Sequence, residues 1–383
     1  MSVAGVRALG PLLAASIWAC AAVNPPPQAP GGATTVGLRP APSLMRPAAN
    51  LPAERRPDFH AGQALARQPW VKAPTATDAR DGLGPVYNAR ACLQCHVNGG
   101  RGPMPAGDGP LPFTAVVRLS RPDGQPDATY GAQLQTRSVA LRHQLDGALT
   151  PVDADPPPEA RVEVQWATRD FTYPDGRRVT LRAPRLAVDA LGYGPLQADT
   201  RASLRTAPPL HGMGLLALVP QAALEALADP DDGDGDGVSG RLSAVPDVEA
   251  GGQAPGRFGW KASQPTVRQQ VAAALVEDMG IANPIFPRQP CTDRQPRCRA
   301  APHGGGEDGL EISAPLLALL VEFANNLAVP ARRKAKDARV RAGQALFAEV
   351  GCAACHHPRF VTGPSATDPH LAGQVIWPYT DLL

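Results

Sequence analysis

The chain has 383 residues, with 37 basic and 35 acidic side chains and a formal net charge of +2, which excludes the electrostatic footprint of a nucleic-acid binder. No stretch beyond the N-terminus approaches the roughly 20 apolar residues of a membrane-crossing helix. With 44 Pro, 38 Gly and only 5% aromatic residues, the chain should be loop-rich, long enough for two or three packed units, and short of bulky core side chains.

Residues 1–22 carry one basic side chain, Arg7, a short apolar run and small residues around Ala19, Ala21 and Ala22. This is the pattern of a secretory signal peptide, too short to span a membrane. Cys20, at the end of the run, is an alternative lipid-anchor site; on either reading the chain is periplasmic or otherwise exported. Residues 23–56 read as a Pro/Ala-rich linker with no core of its own, and order is expected to begin near Pro57.

An internal echo follows. Ala61-Gly62-Gln63-Ala64-Leu65 recurs as Ala342-Gly343-Gln344-Ala345-Leu346, each copy preceding a Cys-x-x-Cys-His. The spacing predicts two cytochrome c-like units, residues 57–330 and 331–383. Between them Val162, Val164 and Trp166 alternate with polar neighbours, and Pro174-Asp175-Gly176 is a turn, so residues 113–185 read as a β-rich insertion into the first unit. Residues 214–228, 266–279 and 314–328 read as helices. The expected fold is mainly α with a β insert.

The chemistry is concentrated in Cys92-Leu93-Gln94-Cys95-His96 and Cys352-Ala353-Ala354-Cys355-His356. Covalent haem attachment needs two thiols spaced to meet the porphyrin vinyl groups and a His directly after the second to reach the iron. A redox dithiol or half of a zinc site is the competing reading for one such motif. Two copies, an export signal and no thioredoxin-like context favour two covalent c-type haems. Cys291 and Cys298, close together in a loop, are expected to form a disulfide in an oxidising compartment.

Asp232, Asp234 and Asp236 alternate with glycines, the oxygen-rich pattern that calcium prefers. Ser243 stands where a full EF-hand would have a bidentate Glu, so Asp229 or Asp231 could contribute; a solvated acidic turn is the alternative. For the second axial position of each iron the side chains available before the second motif are Met104, Met213, Met279, His60, His143, His211 and His303. After His356 only 27 residues remain, with no Met and only His357 and His370. The second unit therefore reads as incomplete, as if truncated.

Gly84-Pro85-Val86-Tyr87-Asn88-Ala89-Arg90, Gly99-Gly100-Arg101-Gly102 and the run from Asp229 to Gly235 resemble the di-haem oxidoreductases of the peroxidase-like, thiol-oxidoreductase-like family. So do Gly256-Arg257-Phe258-Gly259-Trp260-Lys261, Asp278-Met279-Gly280 and Leu327-Ala328-Val329-Pro330-Ala331-Arg332-Arg333. The family is distantly similar to bacterial di-haem cytochrome c peroxidases and to the di-haem enzyme that matures methylamine dehydrogenase. The resemblance runs from about Pro57 to Leu383; family members continue past Leu383 through a segment with His, Asp and Met. It implies one haem with a displaceable face where peroxide binds and another that feeds it electrons from a donor protein. On that mechanism Glu277, with Asp278 and Met279, is the candidate acid/base cluster, Met279 a candidate iron ligand, and Trp260 a candidate relay between haems. A closed electron-transfer cytochrome and a protein-oxidising maturation partner are the alternatives.

Overall fold

A computed structural model describes residues 28–38, 43–76, 80–139, 141–143, 149–151, 155–306 and 308–383. The signal-like segment with Cys20 lies outside the described residues, as does the side chain of His143.

The helices are α1 (Arg56–Arg67), α2 (Cys92–Cys95), α3 (Met213–Ala217), α4 (Gln221–Glu225), α5 (Val267–Met279), α6 (Pro296–Arg299), α7 (Ala314–Asn325) and α8 (Ala338–Glu349). The chain is 25% helical with 20% strand in several sheets, which corrects the expectation of a mainly α fold. Two causes are visible. Pro220 cannot continue a helix, so the expected 214–228 helix is two short pieces, α3 and α4. Strands also extend beyond the expected insert, from Gly109 to Thr206.

The largest helical contact is between α1 and α7. Phe59, Gly62 and Ala66 make the buried face of α1, and Phe59 meets Phe323 with ring centroids 5.4 Å apart. Gly62 is needed there: a Cβ on it would stand 1.9 Å from the Leu319 carbonyl oxygen. Helix α5 joins the same core through Ala272, Leu275 and Met279. It starts where Thr266 accepts a hydrogen bond from Gln269 N and stops at Gly280 in the left-handed conformation.

The region read as a linker packs. Val36 N donates to Val329 O at 3.0 Å, Ala48 N donates to Asn326 O at 2.8 Å, and Val36, Met45, Ala48 and Leu51 are buried.

A second core belongs to the strands. Arg201–Thr206, Ala115–Ser120 and Gln133–Leu134 form one antiparallel sheet, with Leu204 opposite Val117 and Val117 opposite Leu134. Arg161–Thr172 and Arg178–Asp189 pair along their whole length, with Gly109–Pro110 added at one edge. Val162 and Val164 point into this core with Val117, Leu119 and Leu134. From Thr168 to Arg185 the hairpin is exposed apart from the half-buried Val179. The Cys291–Cys298 disulfide is formed, and its loop is tied to the strands by Thr292 Oγ1 donating to Thr129 O at 2.7 Å.

Candidate functional site

The first Cys-x-x-Cys-His is a single helical turn, α2, in which His96 N donates to Cys92 O at 3.0 Å. Upstream, the chain is clamped to the end of α5: Gly84 N donates to Met279 O, and Asn88 N and Ala89 N donate to Asp278 O. Gly84 meets Gly280 backbone to backbone, where a Cβ would lie 2.4 Å from the Gly280 Cα. The Gly84-Pro85 and Asp278-Met279-Gly280 stretches, far apart in sequence, are thus the two sides of one contact. Downstream, Leu210 N donates to Gly99 O at 3.0 Å and Gly102 N to Ala207 O at 2.9 Å. These bonds bring residues 207–210 over the motif.

That placement orients His96. Its Nδ1 donates to Pro208 O at 2.7 Å, which leaves Nε2 unprotonated and free to bind a metal. Burial lowers the pKa of His96, so the neutral, ligating form is favoured. Cys92 and Cys95 are free thiols; burial pushes Cys92 up to about 11 and Cys95 up to about 12. A reactive redox dithiol needs the opposite shift.

Both cysteines and His96 wall a cavity of about 1060 Å³, at the upper end of what small-molecule and cofactor sites occupy. Glu277, Asp278 and Trp260 line it too. The Asp278 carboxylate accepts from Gln133 Nε2 at 2.8 Å, and desolvation pushes its pKa up to about 6. Glu277 is ion-paired with Arg118. Trp260 stands at the mouth, 51% exposed, with Nε1 donating to Thr206 O at 2.7 Å and the Arg101 guanidinium 5.4 Å from its ring.

The candidate axial residues separate. Met279 is 3% exposed within the main core and does not line the cavity, whereas its neighbour Asp278 does. His211 and Met213 do line the cavity. His211 Nδ1 is buried without a partner, and burial lowers its pKa. Met104, His60 and His303 are exposed, and His370 is held by Asn326 Oδ1 at 2.7 Å.

The second motif repeats the local geometry. His356 N donates to Cys352 O at 3.0 Å, and His356 Nδ1 donates to Tyr379 O at 3.0 Å, again freeing Nε2. Cys352 and Cys355 are free, and Cys355 and His356 are exposed. A cavity of about 270 Å³ lies beside them, lined by Arg341, Phe347, Ala353 and Tyr379. The two sites are linked by Trp377-Pro378-Tyr379: Trp377 is buried in the wall of the first cavity, and Tyr379 holds His356. Sequence reasoning missed Trp377, although a Trp and a Tyr close behind the second motif were a usable signal.

In the acidic loop, Asp229, Asp232 and Asp234 place carboxylate oxygens within 4.8 Å of one another. Asp236 is not in that group; its carboxylate accepts from Val238 N at 2.8 Å. Of the expected Asp232, Asp234 and Asp236, the first two lie in this cluster, together with Asp229, which the sequence offered as a further contributor.

The family model described as "Di-haem oxidoreductase, putative peroxidase" matches residues 27–120 and 126–383. No curated protein and no solved structure matches the chain.

Proposed function

Since the chain belongs to the di-haem oxidoreductase family, we propose that it is an exported enzyme that reduces peroxide with electrons from a donor protein. Cys92 and Cys95, with His96, would hold one c-type haem, and Cys352 and Cys355, with His356, would hold the other. The observation that carries this reading is the cavity of about 1060 Å³ walled by both cysteines and by a His96 whose Nε2 is free. The haem, when bound, supplies the redox-active iron at which peroxide, two electrons and two protons become two waters.

The chain's own residues hold and move the protons. Asp278, with a pKa near 6 and oriented by Gln133, is suited to accept and return a proton near neutral pH. Glu277 balances Arg118 beside it. Trp260, at the mouth, would relay electrons, a reading supported by its place in the cavity wall, and Trp377 and Tyr379 join the two sites along the backbone. Export is supported by residues 1–22 and by the Cys291–Cys298 disulfide. Calcium at Asp229, Asp232 and Asp234 would bind through hard carboxylate oxygens.

One observation favours a second reading. His211 and Met213 line the same cavity as His96, and either could close the iron and leave a pure electron carrier. Adding cyanide and peroxide to the purified oxidised and reduced protein separates the two. An open site changes its haem spectrum on addition and consumes peroxide; a spectrum that neither reagent alters identifies the carrier and rejects the enzyme.

A further inference from the structure

We propose that residues 332–341 form the docking surface for an acidic electron-donor protein, which delivers electrons to the second haem; the inference rests on reading Cys352, Cys355 and His356 as a haem site. Six cations, Arg332, Arg333, Lys334, Lys336, Arg339 and Arg341, stand there against one acid, Asp337. The chain as a whole is nearly neutral at +2, so this is a concentration of charge and not a sample of the average surface. Asp337 does little to cancel it. Its carboxylate accepts from Arg339 N at 2.9 Å and caps α8, and its distance to the Arg339 guanidinium is 3.7 Å. Among the described residues, Arg333, Lys334, Lys336 and Arg341 are exposed with no carboxylate at ion-pair distance.

The strip is part of the second site. Arg332 Nη1 donates to Gln344 Oε1 at 3.1 Å, and Arg341 and Gln344 line the 270 Å³ cavity together with Ala353 of the motif itself. A partner seated on the cations therefore lies beside the second motif, whose Cys355 and His356 are exposed. Transient redox encounters use small interfaces and long-range charge to find one another, and a field of one sign beside an open redox centre meets that need. The transfer is a single electron: the donor's centre is oxidised by one, the second haem iron goes from ferric to ferrous, and no proton moves. Self-association through this face is opposed by its own charge.

The test uses the full haem-bearing chain and reduced plant-type ferredoxin as an acidic, strongly reducing probe. The variant is Arg333→Glu/Lys336→Glu/Arg339→Glu; its changes are exposed, and acids are favoured where α8 begins, so folding is not at stake. Covalent haem content is measured first. One haem per chain overturns both the second-site reading and this proposal. With two haems present, the second-order reduction rate should fall about tenfold or more in the variant at low salt, and the two proteins should converge at about 0.5 M salt. Hexaammineruthenium(II), a cationic reductant, should shift the other way. Binding of oxidised ferredoxin to the immobilised protein should weaken in parallel. Equal rates and equal binding overturn the docking proposal alone, as does a variant that keeps its ferredoxin rate but loses binding to vesicles of anionic phospholipid, which would assign the strip to a membrane surface.

Discussion

The two motif regions share a code and differ in their surroundings. Each has the Ala-Gly-Gln-Ala-Leu helix, the Cys-x-x-Cys-His turn closed by the same backbone hydrogen bond, and a His whose Nδ1 is held by a carbonyl. In the first, α1 is pressed so closely on α7 that Gly62 has no room for a Cβ, and Cys95 is buried. In the second, α8 buries no residue, Gly343 has nothing within 4 Å, and Cys355 is exposed. The Cys-x-x-Cys-His turn is therefore a local property of the motif, whereas the carbonyl that orients each His comes from Pro208 or Tyr379, and the enclosure that controls access and pKa comes from distant elements: α5, α7 and the strands.

The most severe way to break the comparison is to remove the attachment thiols. Cys92→Ala/Cys95→Ala and, separately, Cys352→Ala/Cys355→Ala should each lower the haem retained after acid extraction from two per chain to one, as read by a pyridine assay. Peroxide turnover should disappear with the first pair; a denatured variant that keeps two haems refutes the attachment. The glycines come next. Gly62→Ala must push into the Leu319 carbonyl and should cost about 1–3 kcal/mol or more, as overpacking does. Gly343→Ala meets open space and should stabilise its helix by roughly 0.5–1 kcal/mol. Denaturant melts of both variants check this, and equal losses would mean that α8 is packed as tightly as α1.

This contrast also marks what could be read from the sequence. The two Cys-x-x-Cys-His turns, the disulfide, the alternation at Val162 and Val164 and the span of α5 were legible because each is set by neighbours in the chain. The mainly α expectation failed because the paired strands beyond the insert are stabilised by partners far away: Arg201 lies opposite Ser120. The burial of Val36 and Met45 was hidden for the same reason, since Pro-rich composition says nothing of a strand-like segment waiting at Val329. The approach of Asp229 to Asp232 and Asp234 was left open because it depends on the turn between them, where Asp232 has positive φ.

A smaller effect should distinguish Asp278, which has no counterpart in the second region. Its folded pKa, about 6, is raised above the ordinary carboxylate range, chiefly by desolvation. Its contribution to stability is therefore fully present below the unfolded pKa and declines as pH rises through about 6. Activity has the opposite sign if the carboxylate is the proton acceptor: turnover should be lost as pH falls below about 6. Asp278→Asn should flatten both the stability slope and the acid limb of the pH–rate profile while leaving haem content at two. An unchanged acid limb would assign the proton to another group.

The smallest expected effect concerns the acidic loop and sharpens the second side of the comparison. The loop is closed by Asp229 and Gly240 pairing through both backbone bonds, and a Cβ on Gly240 would lie 2.9 Å from Leu383 Cδ1. Leu382 packs on the cluster that contains Leu224 and Leu371, while nearby Tyr379 supplies the carbonyl that orients His356. A cation at Asp229, Asp232 and Asp234 would hold this closure, and would stabilise the folded chain only by the logarithm of its saturation. Asp234→Asn should weaken calcium binding measured by calorimetry. Calcium should slow amide exchange over residues 375–383 more than over residues 92–102, and the variant should lose that difference. If the unaltered chain binds no calcium, or if both motif regions respond alike, the loop is a solvated turn, and the openness of the second site is set by α8 alone.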